Sequence, residues 1–386
     1  MRLFVLGGAG EVGRHLTRDL LRQNVGDIIL ADVDKSRAEA MAYELPYSAL
    51  EIEHVDLRDK QQLIELLTGS AVLINCAPFA WFDAVLDAAI EARVNYADLI
   101  SEPTESQRQR VAEAGLTAVS GLGLSPGTSN VLCAHAAHDF DDLEELHIHW
   151  ASFRSIAPSQ GLLDTILWEM RNDCPTRQTY QNSKYVWSPP LDGGRTVRFP
   201  DPIGNQRVYV VPHTEPITLP RHFPSLSTVT VRGTWRPDLM EDLLVLNKYG
   251  LLDGEPLDGP GTATAFAATR QRIWAKLGGA RETWHRWALY LNVEAVARRG
   301  DDIVRREYSV WHEDWGTEAI GRMTGVNAAV GALLLARHGG KGGVGFVDPE
   351  VYFDPSEYLA ELQLRDGMHV EWTESGVPQH PLERVA

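Results

Sequence analysis

Cysteine is scarce in this 386-residue chain, where Cys76, Cys133 and Cys174 are the three. They are odd in number, far apart and without CxxC or Cys/His spacing. That argues against a disulfide framework or a structural zinc site and points to a reducing compartment. Positive charge is also short. Against 53 acidic side chains stand 36 basic ones, a net charge of -17 that repels phosphate backbones and anionic membrane surfaces. Neither nucleic acid nor membrane is therefore an expected partner. The amino terminus lacks a long apolar run: one basic residue and a stretch that stops at Gly7 fall short of a signal sequence or a membrane span. We expect a cytoplasmic protein. Internal repeats and low-complexity segments are missing as well.

What is present is length for two domains and a core drawn from 44% hydrophobic residues. In the first third, "RLFVL", "DIILAD", "EIEHVDL", "AVLINCA", "NYADL" and "LTAVSGLG" read as strands. Between them lie amphipathic stretches such as "SRAEAMAYEL", with Ser36 as its expected cap, "QQLIELL" and "FDAVLDAAIEA". This alternation implies a doubly wound α/β fold with a parallel sheet of Rossmann type.

The first strand runs into "GGAGEVG", so Gly8, Gly10 and Gly13 form G-x-G-x-x-G between a strand and a helix, the context that gives this pattern its weight. Gly8 permits the turn, Gly10 lets backbone approach a pyrophosphate, and Gly13 lets helix and strand pack closely. Ala9, Glu11 and Val12 complete the loop, and the helix amino terminus offers its free N–H groups to phosphate. Asp32 follows Gly13 by 19 residues at the end of the second strand, where a carboxylate meets ribose hydroxyls. NAD is the expected cofactor, with NADP possible because Lys35 and Arg37 lie near the repelling Asp32 and Asp34. Val33 adjoins this site. Asp56 and Leu57 end the third strand, where Asp56 reaches the adenine edge or caps the next helix. Ala77, Pro78 and Phe79 follow the fourth strand, and Leu99 the fifth, all at the carboxyl edge where open α/β sheets bind ligands.

After "VSGLGLSPG" the alternation stops. "TSNVLCAHAAHDF" reads as a helix. "LEELHIHWASFR", "RVYVVPH", "STVTVRGTW" and a long hairpin turning at Gly300-Asp301 read as strands of a mostly antiparallel sheet in an α+β substrate domain. "GTEAIGRMTGVNAAVGALLLARHG" is a helix rich in small residues that packs closely on a neighbour and is expected to return to the nucleotide domain. The expected organisation is a dinucleotide-binding domain over 1–125, completed by 317–345, a substrate domain over 126–316, and a polar surface extension over 346–386.

The chain resembles the saccharopine dehydrogenase-like oxidoreductases, and within them the lysine 6-dehydrogenase type, over nearly its full length. The motifs that carry the resemblance are "GGAGEVG", "LADVD", "YADL", "GLGLSPGTSNVL", "PHTEPITLPRHFP" and "DPEVYFD". It implies an NAD(P)-dependent oxidoreductase acting on a carbon bonded to nitrogen in an amino acid or related amine, by oxidation to an imine or semialdehyde. A reductase joining an amine to a carbonyl compound is the alternative, and a non-catalytic NAD(H) sensor a third reading of another class. A homodimer is expected.

Amine oxidation requires a base to take a proton from an alkylammonium whose pKa is about 10 by analogy with lysine. His213 and Glu215 in "HTEP" flank Thr214, and in an extended segment they point the same way. They and Asp98 are the catalytic candidates; a strand-end histidine and a solvated loop charge are the plainer alternatives. Asn130, Thr214, Arg154 and Arg221 are candidates for substrate contact, the arginines through bidentate bonds to a carboxylate. His147 and His149 alternate on one strand, but no third ligand stands at a recognisable spacing, so no metal is expected. Ten of the eleven tryptophans lie beyond Gly127, as core or as a cage for a cation.

Overall fold

The computed structural model describes residues 1–44, 50–101, 103–140, 142–256, 262–283, 286–300 and 302–377. Leu45 of the second predicted helix, Asp301 of the hairpin turn and the tail beyond 377 lie outside them. Two compact units result. One comprises Met1–Val131 and Ile320–Asp366, the other Leu132–Ala319 and the chain from Gly367 onward.

The chain begins with β1 (Arg2–Leu6), α1 (Gly13–Arg22), β2 (Asp27–Asp32), α2 (Lys35–Tyr43), β3 (Leu50–His54), α3 (Lys60–Leu67), β4 (Val72–Asn75), α4 (Phe82–Ala92), β5 (Asn95–Asp98), α5 (Glu105–Glu113) and β6 (Thr117–Val119). Leu3, Phe4 and Val5 on β1, and Ile28, Ile29 and Leu30 on β2, are all fully buried, as strands covered on both faces require. Helix starts are set by side chains that satisfy free N–H groups: Asp59 caps α3, and Thr104 with Gln107 forms a capping box on α5. Ser36 does not cap α2. Asp34, two residues past β2, accepts from Arg37 N, which places Ser36 inside the first turn.

From α6 (Thr128–Asp139) the chain builds the second unit with β7 (Asp142–Phe153), α7 (Gln160–Glu169), β8 (Gln178–Gln181), β9 (Lys184–Trp187), β10 (Arg195–Arg198), β11 (Asn205–Val210), α8 (Glu215–His222), β12 (Thr228–Trp235), α9 (Pro237–Lys248), α10 (Ala265–Leu277), β13 (Ala288–Arg299) and β14 (Asp302–His312). The sheet order is β10-β11-β12-β7-β13-β14-β16, where β16 is Met368–Val377, with β8 and β9 branching from β12. Along that order β7 and β12 are parallel and the other neighbours antiparallel.

The chain then re-enters the first unit through α11 (Ala319–His338), β15 (Gly345–Phe346), α12 (Pro349–Tyr352) and α13 (Pro355–Gln363), and ends the described region with β16 (Met368–Val377). The first sheet has the order β15-β6-β5-β4-β1-β2-β3 with every pair parallel. The small residues of α11 have a clear purpose. A Cβ on Gly321 would lie 2.3 Å from Glu11 O and one on Gly325 2.7 Å from Val12 O, so the helix backbone passes directly over the start of α1. The expected extension is not one over its described residues, 346–377. Phe346 belongs to the parallel sheet, Tyr358 and Leu362 are core residues, and β16 pairs with β14 from Ile303 to His312. Met368 and Val370 at the start of this edge strand are buried, whereas residues 371–376 are exposed, so only its first part presents a buried face.

Candidate active site

In the first unit the sheet order reverses at β1 and β4, and the glycine loop sits at their carboxyl ends. Gly7, at φ +71°, passes so close to β4 that a Cβ would lie 2.9 Å from the carbonyl of Cys76. Its N–H and that of Gly8 donate to Ala31 O at 2.7 and 3.2 Å, and Gly10 N donates to Gly7 O at 3.0 Å. A Cβ on Gly13 would lie 2.3 Å from Gly7 O, whereas one on Gly10 meets only Gly7 O, at 3.0 Å. Gly13 is therefore spent on helix–loop packing, and Gly10 is the glycine that leaves space in front of the helix. Glu11 pairs with Arg14, and Val12 precedes the first residue of α1.

Asp32 is 4% exposed. Its Oδ2 accepts from Ala9 N at 3.1 Å and its Oδ1 from Asp34 N at 3.0 Å, with Arg37 Nη2 3.6 Å from Oδ1. The acid thus ties the glycine loop to the end of β2. Val33 and Phe79 are large apolar side chains left about two-thirds exposed at the carboxyl edge, as walls for flat rings would be; Ala77 and Leu57 are half-buried beside them and Pro78 is exposed. Asp56 does not cap α3. Its carboxylate binds Arg58, which holds it down to about 2. A glycine cradle, a helix amino terminus, an acid and exposed apolar walls fit a dinucleotide.

Asp98 ends β5 in a buried network. It accepts from Tyr96 Oη at 2.9 Å and Ser120 Oγ at 2.7 Å, and Asn75 donates to Tyr96 at 3.0 Å. Burial pushes the Asp98 carboxyl up, against these hydrogen bonds. The network braces the ends of β4, β5 and β6, with Leu99 half-buried just beyond it. Asn130 is likewise engaged: its Oδ1 accepts from Gly127 N and its Nδ2 donates to Glu350, each at 2.9 Å, which anchors the "DPEVYFD" segment.

In the second unit His213 and Glu215 do come together, though not by the extended segment expected. Thr214 has helical backbone angles, Pro216 occupies the first turn, and Glu215 opens α8. The turn leaves His213 Nδ1 3.7 Å from Glu215 Oε2, both residues buried. A Trp150 ring stacks on the imidazole at 5.8 Å between centroids and 24°. Gly233, paired with Trp150 across the β7–β12 ladder, makes this possible, because a Cβ there would lie 2.1 Å from the indole. Burial alone would lower the His213 pKa, but the adjacent carboxylate of Glu215, with the charge of Glu169, carries it above its ordinary value.

Arg154 is buried and donates to the carbonyls of Ser155, Ile156 and Leu162, so it holds a loop. Arg221 is exposed on the last turn of α8. His147 bonds Thr230 at 2.9 Å and Glu145 at 3.1 Å, and His149 contacts Asn292 at 3.4 Å. Trp150, Trp235 and Trp287 are buried packing residues, whereas Trp187 and Trp372 are about half exposed.

Two residues of this neighbourhood escaped the sequence reading. Glu169 ends α7 at 5% exposure, and Arg177, fully buried, donates to the carbonyls of Glu169 and Arg171. The available signal was a carboxylate three residues after Ile166 on the apolar stripe of "GLLDTILWE".

The sheet order, the glycine loop and Asp32 define an NAD(P)-dependent oxidoreductase of Rossmann type. Residues 3–119 match the saccharopine dehydrogenase NADP binding domain and residues 123–368 the saccharopine dehydrogenase C-terminal domain. The chain belongs to the saccharopine dehydrogenase family. It is 25% identical to the carboxyaminopropylagmatine dehydrogenase of Synechocystis sp. over 92% of this chain and 93% of the relative. It is 23% identical to the carboxynorspermidine synthase of Vibrio alginolyticus over 65% and 67%. The fold is that of apo saccharopine dehydrogenase (L-Glu forming) from Saccharomyces cerevisiae, with a TM-score of 0.69 at 16% identity over 98% of this chain and 100% of that one.

Proposed function

We propose that this enzyme joins an amine to a carbonyl compound by NAD(P)H-dependent reduction, forming a secondary amine. This is favoured over the oxidative deamination of a lysine-like substrate that the sequence motifs suggest. The observation that carries the reading is the buried His213–Glu215 pair, in which the imidazole is held towards its protonated form. An acid is what condensation needs. When an amine adds to a carbonyl, the resulting hydroxyl leaves only as water, so it must gain a proton as the nitrogen lone pair forms the C=N bond. His213 supplies that proton and Glu215 stabilises the imidazolium beforehand. Gly8 to Gly13, with Asp32 and Val33, would hold the nicotinamide cofactor, which when bound would supply the hydride for reduction of the C=N bond. The names of the relatives, which contain agmatine and norspermidine each with a carboxy group, support a diamine or guanidino-amine as one substrate and a carboxylated carbonyl compound as the other.

The test is loss of NADH or NADPH absorbance when the protein meets agmatine or short diamines together with carboxylated aldehydes, with the product identified by mass spectrometry. His213→Ala should lower kcat roughly 100-fold or more, the scale of a positioned acid. Tight cofactor binding with no turnover across the panel would favour the sensor reading. Turnover of an amine with oxidised cofactor alone, faster than condensation, would favour oxidative deamination.

A further inference from the structure

We infer that Arg207 is the anchor for the carboxylate of the carbonyl substrate, which its guanidinium takes in a bidentate pair on the sheet face that carries His213. The inference rests on the proposed condensation and names the group that selects a carboxylated partner for the amine.

The strand ladder brings Arg207 to the face that holds the acid. Tyr209 of β11 pairs with Gly233 of β12, and Gly233 with Trp150 of β7, so Tyr209 and Trp150 stand in one row on one face of the sheet. Arg207 precedes Tyr209 by two residues and shares that face. Its side chain runs along the strand. Cζ lies 5.7 Å from the centroid of the Tyr209 ring, and a Cβ on Gly194 would lie 2.7 Å from Nε and Nη2. Because Gly194 adjoins Arg195, the partner of Val208, the guanidinium is level with Tyr209 and with the row that leads to Trp150 and to the imidazole stacked on it. The bare backbone of Gly194 and the tyrosine ring confine a flat cation while consuming none of its N–H groups. Arg207 is exposed and makes no hydrogen bond or ion pair among the described residues, although acids outnumber basic side chains 53 to 36. The arginines expected in this role are otherwise placed: Arg154 donates to three backbone carbonyls, and Arg221 lies on the last turn of α8.

A second donor in the row also lacks an acceptor. The six-membered ring of the Trp150 indole lies over Gly233, and its Nε1 is buried without a hydrogen-bond partner among the described residues. An indole N–H can only donate, so what both groups await is an acceptor. A carboxylate supplies two oxygens and matches the fork of a guanidinium. Two strand spacings, about 10 Å, separate the Tyr209 and Trp150 positions. Hydrogen bonds of about 3 Å at each end leave about 4 Å, the length of a chain of about three or four carbons. A short carboxylated carbonyl compound thus reaches from the guanidinium to the imidazole, its carboxylate at one and its carbonyl oxygen at the other.

The test compares steady-state kinetics of the intact wild type and Arg207→Ala with a short carboxylated aldehyde and with an aldehyde of equal length that ends in a methyl group. Arg207→Ala should raise KM for the carboxylated aldehyde about 30-fold, the scale of a charge-assisted hydrogen bond. KM for the amine and the kinetics of the methyl-ended aldehyde should stay nearly unchanged. Guanidinium ion added to Arg207→Ala should restore part of the loss, which a merely structural role would not allow. Gly194→Ala keeps Arg207 but displaces its guanidinium, and should move the same KM in the same direction. Equal losses with both aldehydes, or an unchanged KM for the carboxylated one, overturn the inference. Failure of the condensation itself is distinguishable. Succinate and glutarate have no aldehyde to condense, and calorimetry of their binding requires no turnover. Binding to wild type that is lost in Arg207→Ala upholds the anchor even where no amine and aldehyde are joined; no binding to wild type, or equal binding to both proteins, overturns it.

Discussion

Arg37 Nη2 lies 3.6 Å from Asp32 Oδ1, so the acid at the end of β2, expected to meet the cofactor ribose, is accompanied by a cation. An Asp alone repels a 2′-phosphate, and an adjacent Arg attracts one. We propose that the pair sets the choice between NAD and NADP by a balance. Asp32→Asn keeps an acceptor for Ala9 N–H and removes the charge; it should weaken NAD about tenfold, or ~1.4 kcal/mol, and favour NADP relatively. Arg37→Ala should weaken NADP and spare NAD. Calorimetry with both cofactors measures the ratio, and an unchanged ratio in both variants removes the pair from cofactor selection.

Gly10 and Gly13 belong to one motif but should fail differently. Gly13→Ala pushes a Cβ against Gly7 O and Gly8 Cα, backbone atoms that cannot give way, and should destabilise the fold by ~1–3 kcal/mol. Gly10→Val meets one atom at 3.0 Å and extends into the space before the helix. It should fold and lose cofactor. Thermal melts with and without NAD(P) separate the two outcomes; a Gly10→Val protein still stabilised by cofactor would contradict this account of the loop.

Two helical glycines test whether packing or propensity wins. In mid-helix, Gly→Ala is worth about 1 kcal/mol of stabilisation. Gly161 in α7 has nothing within 4 Å of an added Cβ, so Gly161→Ala should be neutral to stabilising. Gly325, interior to α11, would place its Cβ 2.7 Å from Val12 O and 2.8 Å from His15 Cβ, so Gly325→Ala should destabilise despite the full mid-helix gain, which Gly161 in the first turn of α7 has only in part. Urea denaturation gives the two signs.

His149 supplies a pH dependence. Burial, with Arg195 nearby, depresses it to about 3 from an ordinary 6.5, so the folded state holds it neutral while the unfolded chain takes up a proton. Its contribution is present above pH 6.5 and is lost as pH falls from there towards 3, at about 1.4 kcal/mol per pH unit. His213 has the opposite sign: its raised pKa stabilises below 6.5 and the contribution fades as pH rises through the folded value. His149→Gln should make the acid limb of stability shallower by about one proton, measured as urea stability against pH. An unchanged slope would mean that His149 is charged in the folded protein.

The first unit was legible because its signals are local. A strand, glycines at fixed offsets and an acid after the second strand lie within 32 residues, and each constrains its neighbours directly. The second unit was legible as strands but not as a site. The helical turn at Thr214 is signalled in the sequence only by Pro216 in the first turn of α8, a cue weaker than the extended pattern of the preceding strand. Glu169 and Arg177 are brought together where Arg177 donates to the Glu169 carbonyl at the end of α7, and no spacing in the sequence encodes that encounter. The edge strand β16 reads as a tail in the sequence because its exposed part is acidic and its pairing partner lies some 60 residues earlier.

The interleaving of the two units bears on how the chain matures during synthesis. β15, the edge strand of the first sheet, and α11, which lies across α1, leave the ribosome only after all of residues 132–319 have been made. The second sheet in turn waits for β16. A nascent chain of about 315 residues therefore holds two unfinished cores, each with an open sheet edge, rather than one completed domain and one in progress. Such edges are prone to mispairing until the last strands arrive. Ribosome-bound truncations ending just before and just after β15 should differ sharply in protease resistance, whereas a chain organised as consecutive beads would show its first protected core much earlier.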